Sequence, residues 1–136
     1  MTALFVVQVV ATLALTGLVW FVQVVHYPLL ARVGPSSFAA YEQEHVRRTT
    51  WLAVPLMVTE GIVVAALLLL DTSAATVLGA VLLAGIWAST FLVQVPCHRV
   101  LEKEWSAPAH ARLVRSNWVR TALWTARSAI AVALLV

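Results

Sequence analysis

Residues 3–25 read ALFVVQVVATLALTGLVWFVQVV, a run of 23 positions without a charge. As an α-helix rising about 1.5 Å per residue, this run is about 35 Å long, enough to cross a hydrocarbon core of about 30 Å. No Lys or Arg precedes it and it has the length of a span, which argues against a secretory signal and for a retained helix. Three further stretches reach that length: Trp51 to Leu70, interrupted by Pro55 and Glu60; Ala74 to Val95, uncharged; and Trp118 to Val136, with Arg120 and Arg127 inside it. Lipid offers backbone amides no partner, and none of the four shows the ten-residue alternation of barrel strands, so helices are the spanning form. The expectation is an all-α fold, one integral membrane domain over residues 1–136, with four transmembrane helices at about 3–27, 46–70, 74–97 and 112–136.

Composition agrees with this reading. Of 136 residues, 62% are hydrophobic and 11% charged, and the mean hydropathy is +0.92, far from soluble globular usage. The lipid bilayer of a cell membrane is the expected surrounding. The net charge of +3 does not point to nucleic acid, because of where the basic residues fall. Arg32, Arg47 and Arg48 lie between the first two spans, and Arg99, Lys103, Arg112 and Arg115 between the last two; the turn from Asp71 to Ser73 and both termini carry none. By the positive-inside rule the long connections face the cytoplasm and the termini the other side. The single Cys97 leaves no internal disulfide and reads as a small thiol near a helix end.

The long connections carry helical signals of their own. After Gly34-Pro35, Ser36 or Ser37 is placed to cap a helix running through Phe38, Tyr41 and His45 into the second span, and Pro108 suits the first turn of a polar lead into the fourth. Val22-Gln23-Val24 recurs as Val93-Gln94-Val95, each closely followed by a Pro and a His, and Val46-Arg47 with Trp51 is echoed by Val114-Arg115 with Trp118. This pattern points to two helical hairpins of one orientation, related by a pseudo-twofold axis along the membrane normal; chance recurrence of short apolar strings is the alternative.

Polar residues recur at helical spacing on every span, as they do when a polar interior is shared. The first presents Gln8, Thr12, Thr16, Gln23 and His26; the second, with its lead, Glu42, His45, Thr49 and Glu60. The third presents Trp87, Thr90, Gln94 and His98; the fourth His110, Asn117, Arg120, Trp124 and Arg127. Gln8, Thr12, Thr16 and Thr90 are expected to be helix-to-helix glue, contributing about 0.6 kcal/mol per contact on average. Trp20, Trp51, Trp105 and Trp118 suit an interfacial aromatic belt, whereas Trp87 and Trp124 lie deeper and suit either core packing or the walls of a pocket for a flat ligand. Glu60 and Arg127 sit midway along their spans, where a lone charge costs about 2.5–3.5 kcal/mol. Equal depth and opposite sign predict that they pair, either as a structural clasp or in substrate or proton handling.

His26, His45, His98 and His110 come one from each helix at the same end of the bundle. Acid–base and hydrogen-bonding roles are one reading. The other is a metal or haem site with His26, Glu42, His45, His98 and His110 as ligands, since Glu42 and His45 have the Glu-x-x-His spacing that offers two ligands from one helix. A di-iron site normally takes two such motifs, and only Glu102 and Glu104 are near on the other hairpin.

The sequence also resembles a known family. Tyr27-Pro28 after His26, the Trp51 to Glu60 stretch with Pro55, and above all Asn117-Trp118-Val119-Arg120-Thr121 followed by Trp124 and Arg127 are similar to the small four-helix membrane proteins related to the fungal anthrone oxygenases, many of whose bacterial members have no known function. The resemblance spans the chain, and its more specific part is Asn-x-x-Arg-Thr. It implies oxygenation of an electron-rich polycyclic aromatic by dioxygen, an activity of a minority of the family, with Asn117 and Arg120 as the matching positions.

The functional expectation is a membrane-embedded oxidoreductase working on a hydrophobic small molecule in a polar pocket near the cytoplasmic side. His26 or His45 would be the base and Arg120 the anion-stabilising group. Gln23, Glu60, Trp87, Gln94, Asn117, Trp124 and Arg127 would contact substrate, with Trp87 and Trp124 against the ring faces. Whether a histidine-ligated metal, a haem or no cofactor takes part stays open at this level, as does self-association. The competing classes are a small proton-coupled transporter built on Glu60 and an electron-transfer subunit holding haem or metal.

Overall fold

The computed structural model describes residues 1–135; Val136, the last position of the expected fourth span, lies outside the described residues. The described chain is all-α, with four long helices: α1 (Thr2–Leu30), α2 (Pro35–Leu70), α3 (Ala74–Leu101) and α4 (Ala107–Leu135). The first three are long and apolar enough to cross a membrane. In α4 four arginines lower the mean apolarity, yet Asn117, Thr121, Arg127 and Ser128 are buried against the other helices, while Trp118, Val119 and Val132 point outward. A helix that turns its polar residues inward and an apolar face outward is what a lipid surrounding selects.

The helix ends follow from local chemistry. Helix α2 begins at Pro35 with Gly34 as its N-cap, ahead of the expected Ser36 or Ser37, because proline at the first helical position carries no N–H to leave unsatisfied and its φ is already helical. At the other end of the bundle the Ser73 hydroxyl caps α3 by accepting from the Thr76 N–H at 3.3 Å. The Asp71 carboxylate accepts from the Ser73 amide and hydroxyl and from the Thr76 hydroxyl, bonds that hold this carboxyl below the usual carboxylate range. Pro108 lies in the first turn of α4, as expected, and the Ser106 hydroxyl accepts from the Ala109 N–H at 3.3 Å.

Two π turns interrupt α1 and α3, at Val22–His26 and Thr90–Gln94. Each is followed two residues later by a proline, Pro28 and Pro96. A proline cannot donate to the carbonyl four residues back, here Val24 and Leu92, and its ring crowds that carbonyl; a widened turn relieves both problems. The two π turns thus stand in the same place relative to their prolines, while the Val-Gln-Val strings fall in different registers within them: Gln23 is the second residue of its π turn and Gln94 the last of the other.

Helix α1 packs along α2 and α4, and α3 along α4, whereas α2 and α3 touch sparingly and leave a cleft between them. One apolar cluster gathers Leu15, Val19, Met57, Leu83, Ile86 and Trp124. A second, toward the basic end that carries the long connections, gathers Tyr27, Leu30, Phe38, Cys97, Leu101 and Leu113. Trp20, Trp51 and Trp118 lie on the outer surface, in keeping with a belt position. Trp105 instead packs edge-on to Phe38 at 4.9 Å and covers the core at the basic end.

Deep in the bundle all four helices meet at one ion pair. The Glu60 carboxylate is fully buried and accepts from Arg127 Nε at 2.9 Å, from Arg127 Nη2 and from the Thr12 hydroxyl. Arg127 Nη1 donates to the Gly79 carbonyl at 2.6 Å. A Cβ at Gly79 would come within 3.2 Å of that nitrogen, so a side chain there would press the guanidinium back by a few tenths of an ångström. Every charged atom has a partner, which is the condition for burying charge.

Candidate active site

The cleft between α2 and α3 widens into a cavity of about 560 Å³, within the size range of small-molecule sites. Its rim includes Val54, Val58 and Phe91, each also part of the exposed apolar surface, so the mouth faces sideways where lipid would lie. Toward the basic end its wall turns polar, with Tyr27, His45, Thr49, Gln94, His98 and Arg120. A second cavity of about 350 Å³ lies behind His45 and is lined by His26, Tyr41, Glu44, His45, Arg48 and Thr49.

The polar wall is organised by the buried residues behind it. Asn117 accepts from Arg120 Nη1 at 3.1 Å and donates to the Gln23 side-chain oxygen at 2.9 Å, while Gln23 donates to the Val114 carbonyl at 3.3 Å. This chain braces Arg120 against α1, and the guanidinium lies beside the Tyr27 hydroxyl. Gln94 is fixed from the other side, donating to Ser116 at 2.9 Å and accepting from Ser89 at 3.1 Å. His98 has both ring nitrogens engaged: Nδ1 bonds the fully buried Glu42 carboxylate and Nε2 lies 3.0 Å from the Tyr27 hydroxyl. His45 stacks on His26 with ring centroids 4.2 Å apart and lies 5.5 Å from His98.

Several buried polar atoms here have no protein partner: His26 Nε2, Glu42 Oε2, Trp87 Nε1 and Arg120 Nε. Two of them, on Trp87 and Arg120, belong to residues lining the larger cavity. Unpaired buried donors are costly unless something else satisfies them, which marks this end of the bundle as a place where a ligand's acceptor atoms gain.

Of the residues expected to act chemically, the structure brings His45 and Arg120 to the larger cavity and His26 to the smaller one. Trp87 and Gln94 line the larger cavity; Gln23 and Asn117 stand behind Arg120. Glu60, Trp124 and Arg127 line neither cavity. They are buried in the core, where the ion pair links α2 to α4 and Trp124 packs with Leu15 and Ile86. The five expected metal ligands are not gathered round one point. His110 bonds the Tyr27 carbonyl at 2.7 Å and lies against Trp105, His98 is committed to Glu42 and Tyr27, and His26 stacks on His45. Among the described residues no group of three or more His, Cys, Asp or Glu is disposed to hold a metal ion. Tyr27 is a member of the polar wall that the stripes of polar residues do not include; its spacing of four from Gln23 is the sequence signal that points to it.

Trp87 is held against α2 by a missing side chain. A Cβ at Gly61 would lie 2.7 Å from Trp87 Cη2, too close without movement of the indole. Gly61→Ala is expected to cost about 1–3 kcal/mol, as overpacking does, in unfolding measured in detergent. The cost should vanish when Trp87 is already Leu; an equal cost in both backgrounds would mean the ring is not pressed on α2.

Comparison of the chain with protein-family models, with curated proteins and with solved structures finds no match.

Proposed function

We propose that the protein is a multi-pass oxidoreductase of the cell membrane that takes a hydrophobic, weakly acidic aromatic from the bilayer, removes a proton from it and presents the anion to dioxygen. The observation that carries this reading is a cavity open toward lipid on its apolar side and walled at its inner end by Tyr27, His45, His98 and Arg120. The resemblance of the Asn117 to Thr121 stretch to the anthrone oxygenase relatives supports the choice of substrate. Glu60, the acid a proton-coupled carrier would need, is tied to Arg127 and Thr12 away from the cavity, so the transporter reading has less support.

For a diaryl methylene carbon set across the central ring from a carbonyl, a wall residue accepts the C–H proton and the electron pair delocalises through the aryl rings onto the carbonyl oxygen, beside Arg120. The carbanion reduces dioxygen and forms a C–O bond, giving a hydroperoxide. Loss of the second C–H proton with cleavage of O–O leaves a ketone and one water, so that CH2 and O2 become C=O and H2O. The protein's part is to hold the ring, to accept and return the proton, and to stabilise the oxyanion in a water-poor cavity.

Purified protein in nanodiscs, supplied with anthrone, should consume oxygen in proportion to anthraquinone formed, at a rate above the spontaneous oxidation in empty nanodiscs. Oxygen uptake equal to that control would overturn the proposal.

A further inference from the structure

Resting on that reading, we propose that the proton acceptor of the cavity is Tyr27, working through His98 as a relay whose far end is the buried carboxylate of Glu42. Three residues from three helices meet in a line: Glu42 of α2, His98 of α3 and Tyr27 of α1. The Glu42 carboxylate accepts from His98 Nδ1, which fixes the tautomer and leaves Nε2 to accept from the Tyr27 O–H. Both Tyr27 and His98 line the larger cavity, with Arg120 on the same wall.

A substrate proton arriving at the Tyr27 oxygen displaces the phenolic proton to His98 Nε2. The substrate becomes an anion facing Arg120, and His98 becomes an imidazolium paired with Glu42. One O–H bond breaks at Tyr27 as another forms there, so one proton has moved from substrate to His98 and charge is conserved. It returns to the oxygen leaving as water when the cycle closes.

Two features select this route over direct proton transfer to His45. An imidazolium formed in a dry cavity needs a counter-charge. Glu42 is fully buried beside His98, whereas the nearest bond of His45 is to the Thr49 hydroxyl of its own helix at 3.3 Å. The second feature is burial of Glu42 itself. No Lys or Arg side chain bonds it, its other oxygen is unpaired, and His98 is its sole hydrogen-bond partner among the described residues. A carboxylate is kept so placed at a cost, and a cationic intermediate on its neighbour is the state that it stabilises. His26, stacked on His45, is the other titratable ring near this wall, and it belongs to the smaller cavity.

The test uses 2-naphthol, whose absorption distinguishes the neutral phenol from the naphtholate, so that it needs neither dioxygen nor turnover. Bound to wild-type protein in nanodiscs near neutral pH, it should show the naphtholate band, because the relay takes its proton. Glu42→Gln preserves the shape and an acceptor for Nδ1–H but not the charge, and Tyr27→Phe removes the phenol; in each, naphthol should still bind and remain neutral. Anthrone turnover should fall about 100-fold or more in each single variant, within the usual range for lost acid–base catalysis. In the double variant the fall should be no deeper than in either single, because the residues act as one unit. Naphtholate in Glu42→Gln equal to wild type, or losses that multiply in the double variant, would overturn the relay. A relay-dependent naphtholate band without anthrone oxidation by wild type would uphold the relay and sink the oxygenase reading. Should Glu42→Gln fail to fold, Tyr27→Phe alone decides, since a phenyl ring fills the same space: a naphtholate band undiminished there removes Tyr27 from the path.

Discussion

Arg127→Met, with Glu60 left in place, is expected to lower stability in detergent by about 3–5 kcal/mol, the usual cost of leaving a buried charge without its partner. The carboxylate would keep only the Thr12 hydroxyl, and the Gly79 carbonyl would lose its donor. Pairing this change with Glu60→Met should restore most of the loss, because two apolar side chains of similar volume demand no solvation at that depth. The measurement is the double-mutant cycle of unfolding free energy or folded yield. Additive losses would show that the two side chains do not depend on each other. Because the pair touches neither cavity, folded Glu60→Met, Arg127→Met protein should keep its turnover, which separates the clasp from the chemistry.

The second large effect is expected at Arg120. Its guanidinium faces the cavity with Nε unpaired and one Nη held by Asn117, an arrangement preorganised for an oxyanion. Arg120→Ala should reduce anthrone turnover by about 100- to 1000-fold, the range for loss of one oxyanion donor, with helix content unchanged. Arg120→Lys should recover only part, since an ammonium keeps the charge but not the planar fork. Asn117→Ala should cost less than Arg120→Ala, because it loosens the guanidinium without removing it. Turnover in Arg120→Ala within threefold of wild type would show that this side chain does not meet the developing charge.

Much of this architecture was legible from the residues because a bilayer imposes few solutions. Length and apolarity located the four helices, and the depth of two opposite charges predicted the pair of Glu60 and Arg127. The polar stripes include Arg120, Trp87 and Gln94, which line one cavity, and equally Glu60, Trp124 and Arg127, which line neither. Relations between helices and the directions of rings are what spacing along one segment does not carry. Gln23 and Tyr27 share the buried face of α1 at the ordinary helical spacing of four, a neighbour that the three-residue step to His26 passes over. Four histidines at one end suggested convergence on an ion, yet their depths said nothing of ring direction, and His98 and His110 proved to be committed to side-chain and backbone partners. Glu42 has the spacing of a ligand motif with His45, whereas it bonds a histidine of another helix, a relation that spacing along one chain segment cannot express.

The sideways mouth between Val58 and Phe91 sets how the protein samples its surroundings. On the proposed function, a molecule reaching it is already dissolved among acyl chains, so the encounter is a two-dimensional search, and the relevant abundance is mole fraction in the host lipid. Diluting the protein-bearing membranes with fresh lipid at fixed bulk substrate should then slow the reaction, whereas diluting with buffer should scarcely matter for a compound that partitions strongly into oil.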